Sequence, residues 1–271
     1  VTGGTEHAVT GQHAPAEPEV RYQVDGDLAI VTLNRPHRLN AVIPALVDGL
    51  CAALDLAISQ DVGAAVLTGA GRAFSAGHDL RHEQPPLTEG QDRRQVQRLQ
   101  DVTRKIRLAP FPVIAAVHGY ALGAGCEFAL CCDLIVAARD AVFGFPEVGV
   151  GLAVTGGISH LLPLTVGLPK AKELVLLGER FGAEEAHRLG LINRLTEPGQ
   201  DVACATEMAR TLCGRPRQAI ARAKNALNQG PEAALEVSQE IEVASALALH
   251  NTPDAKLAAN EFRRRSAPGQ G

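Results

Sequence analysis

Apolar positions along this chain fall into two periods. Residues 20–24 and 28–33 are apolar or alternating on either side of Asp25-Gly26, which predicts two strands joined by a tight turn. Leu46, Val47, Leu50, Leu54 and Ile58 recur at helical spacing and predict a helix over 43–58. The short apolar runs at 64–68, 112–117 and 134–138 predict buried strands. Val96, Leu99, Val102 and Ile106 predict a helix over 92–108, preceded by a polar loop, RHEQPPLTEGQ, at 81–91. The second half of GYALGAGCEFALCCDL (119–134) predicts a buried helix. Helical patterns follow at 157–164, 169–177 and 183–189, with Gly190-Leu191-Ile192 leading out of the last. From about residue 200 only helical patterns occur, at 201–213, 216–228, 231–250 and 254–265. Strands alternating with helices and then an all-helical region predict an α/β core with helices at its C-terminal end. Residues 1–18 have no periodicity and are expected to form a disordered leader. The expected organisation is a leader at 1–18, a core at 19–200 and a helical region at 201–271.

Composition narrows the classes. The chain of 271 residues is 46% apolar and 21% charged, ordinary for a globular protein, and its net charge of −4 leaves no footprint for nucleic acid. The longest apolar stretch, 113–138, is broken by His118, Glu127, Asp133 and glycines, which excludes a membrane span. No basic segment followed by an apolar core stands at the N-terminus, so a cytoplasmic location is expected. The six cysteines, at 51, 126, 131, 132, 204 and 213, include no Cys-x-x-Cys pair. They are read as small buried hydrophobes, with no metal site and no disulfide framework. The basic cluster Arg263, Arg264 and Arg265 reads sooner as a solvated helix end than as a binding patch.

Candidate chemistry lies in two glycine-rich turns and two glutamates. GRAFSAGHDL (71–80) follows the strand at 64–68, and GYALGAGCEF (119–128) follows the strand at 112–117. Such turns let a ligand approach backbone N–H groups closely, and two of these aimed at one point make an oxyanion hole. Each turn alone is equally a device for packing a helix on a strand. Neither has the Gly-x-Gly-x-x-Gly order or a following Gly-Lys-Ser/Thr, so neither is a nucleotide motif. Glu127 stands in the first turn of an apolar helix, and Glu147 stands in FGFPEVGVGL beside a second glycine-rich loop. Burial raises a carboxylate's pKa, and a second carboxylate nearby raises one further, which is how a pair shares acid and base roles near neutral pH.

LNRPHRLNAV (33–42), GRAFSAGHDL (71–80), AAVHGYALGAGCEFALCCDLIVAA (115–138), FGFPEVGVGL (143–152) and LGERFGAEEAHRLGLINRL (177–195) occur in one order along the chain. In these segments the sequence resembles the crotonase superfamily, and within it the enoyl-CoA hydratases. The resemblance covers residues 20 to about 200 and implies a crotonase-like spiral of ββα units with a helical C-terminal region. It implies an acyl-CoA thioester as substrate, no separate cofactor, no metal, and a homotrimer or a hexamer built as a dimer of trimers. The C-terminal region would serve trimerisation and the CoA site, and the setting would be fatty acid β-oxidation.

Carried over by motif, the oxyanion donors are the backbone N–H groups of His78 and Ala124, and the two catalytic carboxylates are Glu127 and Glu147. The His78 imidazole takes no part. The resemblance places the CoA thioester along Arg38, Leu39 and Ala41, along Ala76, Gly77, Asp79 and Leu80, and by Tyr120, Leu122, Gly123 and Pro146. Phe262 and the arginines after it would reach the adenine end. The implied reaction is reversible addition of water to a 2-enoyl thioester, with Glu127 deprotonating the water and Glu147 protonating Cα. Alternatives are a Δ3,Δ2-enoyl-CoA isomerase, a hydroxyacyl-CoA dehydratase and a non-catalytic acyl-CoA binder. One segment departs from the hydratase pattern: EVGVGLAVTGG (147–157) has Ala153-Val154-Thr155 where Pro-Gly is usual and is about one residue shorter.

Overall fold

The strands divide their side chains between two apolar layers, and this explains why they read as continuous apolar runs. The computed structural model describes residues 17–83 and 88–229, and beyond them helical residues at 236–237, 240, 243–244, 247, 256–257, 260–261 and 263–264. β1 (Val20–Asp25) pairs antiparallel with β2 (Leu28–Leu33) across a turn in which Gly26 has φ of 59°. From β2 the sheet continues in parallel through β3 (Ala64–Gly69), β4 (Val113–Val117), β6 (Leu134–Ala138) and β9 (Arg194–Thr196). On one face Val31, Leu33, Ala65, Leu67, Val113 and Ala115 pack with Leu46, Leu50 and Leu54 of α1 (Pro44–Ser59). On the other, Leu28, Ala64, Val66, Ile114, Ala116 and Val136 pack with Ala205 and Ala209 of α7 (Asp201–Cys213). A parallel sheet covered on both faces has no polar side, so alternation disappears from its strands.

A second, smaller layer carries the turns. β5 (Tyr120–Leu122) pairs in parallel with β7 (Val142–Gly144), which pairs antiparallel with β8 (Arg180–Gly182). Single parallel bridges, Val42 with His78 and Ser75 with Ala121, extend this layer through the segments that follow β2 and β3. Each long strand is thus followed by a short one in the second layer: β4 by β5, then α3 (Ala124–Leu130), and β6 by β7. That is the expected ββα spiral.

The short strands β5, β7, β8 and β9 were not legible from pattern, because three residues cannot display a period. Helix α2 runs Glu89–Leu108 and starts three residues before the expected 92. Its first turn is polar and is held by a capping box, with the Thr88 N–H donating to Gln91 Oε1 at 2.8 Å. After it come α4 (Ile158–Val166), α5 (Leu168–Leu177), α6 (Ala183–Arg188) and α8 (Arg217–Gln229). Residues 1–16 of the expected leader, and Phe262, lie outside the described residues. No described helix is long and apolar enough to cross a membrane.

Helix α8 is fastened to the core by a buried lysine. Lys224 Nζ donates to the carbonyls of Ile106 at 2.7 Å and Phe111 at 2.9 Å, and lies 2.8 Å from Asp133 Oδ2. The same carboxylate oxygen accepts the Val113 N–H at 2.7 Å, so one lysine ties α8 to the end of α2, the start of β4 and the start of β6. Burial pushes the Lys224 ammonium down and the Asp133 carboxyl up, and each charge opposes the shift of the other. Removing one member strands a buried charge, which costs about 3 kcal/mol. Lys224→Ala is therefore expected to lower the unfolding free energy by about 3 kcal/mol in urea denaturation. An unchanged midpoint would mean that water replaces the lysine at no cost.

Candidate active site

Two backbones are laid side by side to form the floor of the site. The Phe74 N–H donates to the His118 carbonyl at 2.9 Å and the Ser75 N–H to the Tyr120 carbonyl at 2.8 Å, while the Leu122 N–H returns a bond to Ser75 at 3.0 Å. A Cβ on Gly125, in the first turn of α3, would stand 2.5 Å from the Ser75 carbonyl oxygen. A Cβ on Gly77, at φ of 84°, would stand 2.6 Å from the Leu122 carbonyl and 3.4 Å from Gly123 Cα. The two glycine-rich turns seen in the sequence are therefore in mutual contact, and any side chain at Gly77 or Gly125 would separate them.

The far side of the first turn is held by the segment after β2. The Ala76 N–H donates to the Leu39 carbonyl, the Val42 N–H to Gly77, and the Asp79 N–H to Val42, at 2.9, 2.8 and 3.0 Å. Leu39 and Asn40 both have positive φ, 52° and 55°. Buried Asn40 sustains this bend: its Oδ1 accepts the Arg35 N–H at 2.8 Å, and its Nδ2 donates to Ala70 at 2.9 Å and Ala73 at 2.7 Å. The Arg35 guanidinium pairs with Asp79 at 3.1 Å in the interior, and Asp79 Oδ1 accepts the Arg81 N–H at 3.1 Å. The Asp79 side chain is thus a clamp on the turn.

Because Gly77 C=O and Asp79 N–H both point to Val42, the His78 N–H between them points the opposite way. The His78 side chain is exposed, in keeping with a role confined to its backbone. Ala124 is the first residue of α3, so its N–H has no acceptor within the helix and sits at the positive end of the helix.

Both glutamates are buried at this helix N-terminus. Glu127 is 1% exposed, and both of its carboxylate oxygens accept from Thr155: Oε1 from the N–H at 2.6 Å and Oε2 from the hydroxyl at 2.5 Å. Glu147 is 7% exposed in the 3-10 turn Pro146–Val150. Its Oε1 lies so close to Gly123 that a Cβ there would be 3.0 Å away, and its Oε2 has no hydrogen-bond partner among the described residues. Burial pushes the Glu147 carboxyl up to about 7, against the opposing effect of a hydrogen bond from its own backbone. Both oxygens of one carboxylate accept hydrogen bonds, while one oxygen of the other does not.

The remaining predicted residues are placed as follows. Arg38 is exposed at the end of the 3-10 turn Pro36–Arg38, Leu39 is half-buried and Ala41 is buried. Ala76 and Leu80 are half-buried, and Leu122 and Gly123 are buried under Gly77. Pro146 opens the turn that carries Glu147. Tyr120 is at the surface, with the Arg180 guanidinium 5.5 Å from its ring centroid. Next to Phe262, Arg263 donates through Nε to the Leu80 carbonyl at 2.9 Å, so the C-terminal segment touches the first turn. Outside the site, His118 binds Asp201 at 3.0 Å, which raises its pKa. Arg35, Asn40 and the Thr155 hydroxyl were not singled out by sequence reasoning. Their partners lie 44, 33 and 28 residues away, beyond any local pattern.

Two buried carboxylates thus stand beside two glycine-rich turns in mutual contact. The profile of the enoyl-CoA hydratase/isomerase family matches residues 23–268, and the chain belongs to that family. A probable mitochondrial enoyl-CoA hydratase of Dictyostelium discoideum is 36% identical over 245 residues, covering 90% of this chain and 87% of its own. A short-chain-enoyl-CoA hydratase of Clostridium acetobutylicum is 34% identical over 240 residues, covering 88% and 92%. The crystal structure of an enoyl-CoA hydratase from Mycobacterium avium subsp. paratuberculosis K-10 superposes with a TM-score of 0.83 at 28% identity, over 93% of this chain and 98% of that one.

Gly125→Ala tests the contact between the turns. The added methyl meets a backbone oxygen that cannot rotate away. The variant is expected to lose about 2 kcal/mol of stability by overpacking and most of its affinity for an acyl-CoA, read by thermal melting and by titration with crotonyl-CoA. Unchanged binding would separate the turns from the site.

Proposed function

We infer that the protein is an enoyl-CoA hydratase, adding water reversibly across the double bond of a 2-enoyl-CoA thioester. The observation that carries this reading is the pair of buried carboxylates, one hydrogen-bonded on both oxygens and one with a bare Oε2, beside the Gly77-His78 and Gly123-Ala124 turns. In the proposed reaction the thioester oxygen sits between the His78 and Ala124 N–H groups. Glu127 takes a proton from water as its oxygen attacks Cβ. The electron pair moves to the thioester as an enolate, and Glu147 delivers a proton to Cα. Each N–H donor is worth about 3 kcal/mol of enolate stabilisation in a dry site. The CoA portion lies along Arg38, Leu39, Ala41 and residues 76–80, with Phe262 and the following arginines at its adenine end. The names of the Dictyostelium and Clostridium relatives support the reaction. The reading includes a homotrimer or hexamer assembled through the helices from 201 onward, a cytoplasmic location and a place in fatty acid β-oxidation.

Glu127→Gln and Glu147→Gln are each expected to lower kcat on crotonyl-CoA by about 10³-fold, as for loss of a general acid or base. Loss of the enoyl chromophore is the readout. Full activity in both variants, or CoA-ester binding with no hydration at any chain length, would replace the reading with a non-catalytic binder. Shuttling of a 3-enoyl substrate with no hydration would replace it with an isomerase, which needs a single carboxylate.

The pH dependence follows from proton counting. Hydration needs Glu147 protonated and Glu127 ionised, and dehydration needs the reverse, so both directions use a pair holding one proton. Above about pH 7 the pair loses that proton, because burial sets the Glu147 carboxyl near this value. Accordingly kcat/KM is expected to fall above about pH 7 with the same limb for hydration and dehydration. A flat profile from about pH 6 to 9 would show that the shared proton is not required.

A further inference from the structure

The two carboxylates have similar burial and opposite hydrogen-bonding. Thr155 supplies two donors to Glu127, its N–H to one oxygen and its O–H to the other. At 2.6 and 2.5 Å both contacts have the short lengths of charge-assisted bonds. An ionised carboxylate is an acceptor only, so the threonine hydroxyl must be the donor. Thr155 is itself fixed on both sides. Its carbonyl accepts the Ile158 N–H at 3.1 Å. The next carbonyl, of Gly156, accepts from the Thr103 hydroxyl on α2 at 3.0 Å and the Cys131 thiol on α3 at 3.4 Å. A Cβ on Gly156 would come within 3.3 Å of Glu127 Cβ, so the stem of the glutamate is packed against the same loop.

We propose that Thr155 is a positioning residue for Glu127, fixing the plane of its carboxylate through one donor on each oxygen. This rests on the hydratase reading and deepens it. The two donors also favour the ionised form of Glu127, while Glu147, with a bare Oε2, favours the protonated one. Thr155 thereby decides which carboxylate is the base. It lies in the stretch Ala153-Val154-Thr155, where this chain departs from the hydratase pattern it resembles.

The ionisable groups placed near Glu127 are Glu147 on the 3-10 turn, Cys126 on α3 and Cys131 just after it. On α2, Thr103 bonds the loop through the Gly156 carbonyl. Residues 149–157 contribute no charge. All of these are the same in a Thr155 variant, so a comparison with the unaltered chain isolates the hydroxyl.

The test uses Thr155→Val, which keeps the shape and the N–H, and Thr155→Ser, which keeps the hydroxyl. Thr155→Ala replaces the valine variant if that does not fold by circular dichroism. The Glu127 carboxyl is titrated by 13C NMR, with its resonance assigned by loss in Glu127→Gln. Removal of the hydroxyl is expected to raise the titration midpoint by about one pH unit, with the serine variant close to the unaltered chain. On crotonyl-CoA, kcat should fall about tenfold with KM changed less than about twofold, the acid limb of kcat/KM should move up, and serine should restore both. A Glu127 midpoint that is the same with and without the hydroxyl overturns the proposal. So does a serine variant as impaired as valine. If the unaltered chain hydrates no 2-enoyl-CoA, the hydratase reading fails, and the NMR titration still decides whether Thr155 governs Glu127.

Discussion

The approach of α3 to the chain that follows β3 is the constraint on which the site depends. Gly125 lies against the carbonyl of Ser75 at a separation that leaves no room for a methyl group. With that contact made, the segment 74–77 can pair with β5, and the N-terminus of α3 is brought up to the Gly77-His78 turn. In the proposed reaction two peptide N–H groups from segments about 46 residues apart then serve one thioester oxygen. The buried Arg35–Asp79 pair and the Asn40 bonds hold the outer side of the turn, so it is fixed from both flanks. Rigid donors lose little when charge develops on a bound oxygen, because they need not reorganise.

Burying two carboxylates at one helix N-terminus is costly unless their environments differ. Glu127 meets the cost with hydrogen bonds, two of them from Thr155 of the loop 152–157. Glu147 meets it by taking up a proton near neutral pH, since no donor reaches its Oε2. The asymmetry is functional in the proposed reaction: a pair with equal environments would hold its proton on either member and assign neither role. The loop that creates the asymmetry is anchored to α2 and α3 through Thr103 and Cys131, so the catalytic difference rests on ordinary packing elsewhere.

The helical region supports this arrangement from behind. Helix α7 covers the second face of the large sheet with alanines at helical spacing, which allows close approach to short side chains such as Ala64 and Ala116. Helix α8 is held by Lys224, whose ammonium replaces water for two carbonyls and one carboxylate. The contact from Arg263 to Leu80 brings the last described residues to the turn that carries His78.

Local sequence determined the long elements and the chemistry available to them. The apolar runs of β2, β3, β4 and β6, the spacing of α1 and α7, and the glycines and glutamates of the two turns could all be read directly, because period and residue type are local properties. The motif resemblance extended this to the family and to the two glutamates. The three-residue strands could not be read, since their existence depends on pairing with segments distant in the chain. Nor could the start of α2, set by a cap and not by apolar spacing. Only the tertiary structure decided that the two turns touch, that Arg35 and Asp79 pair, and that Thr155 reaches Glu127 while Glu147 Oε2 is left bare. Those are contacts between residues far apart in sequence, and hydrogen-bonding in a buried site is fixed by which distant backbone happens to stand a few ångströms away.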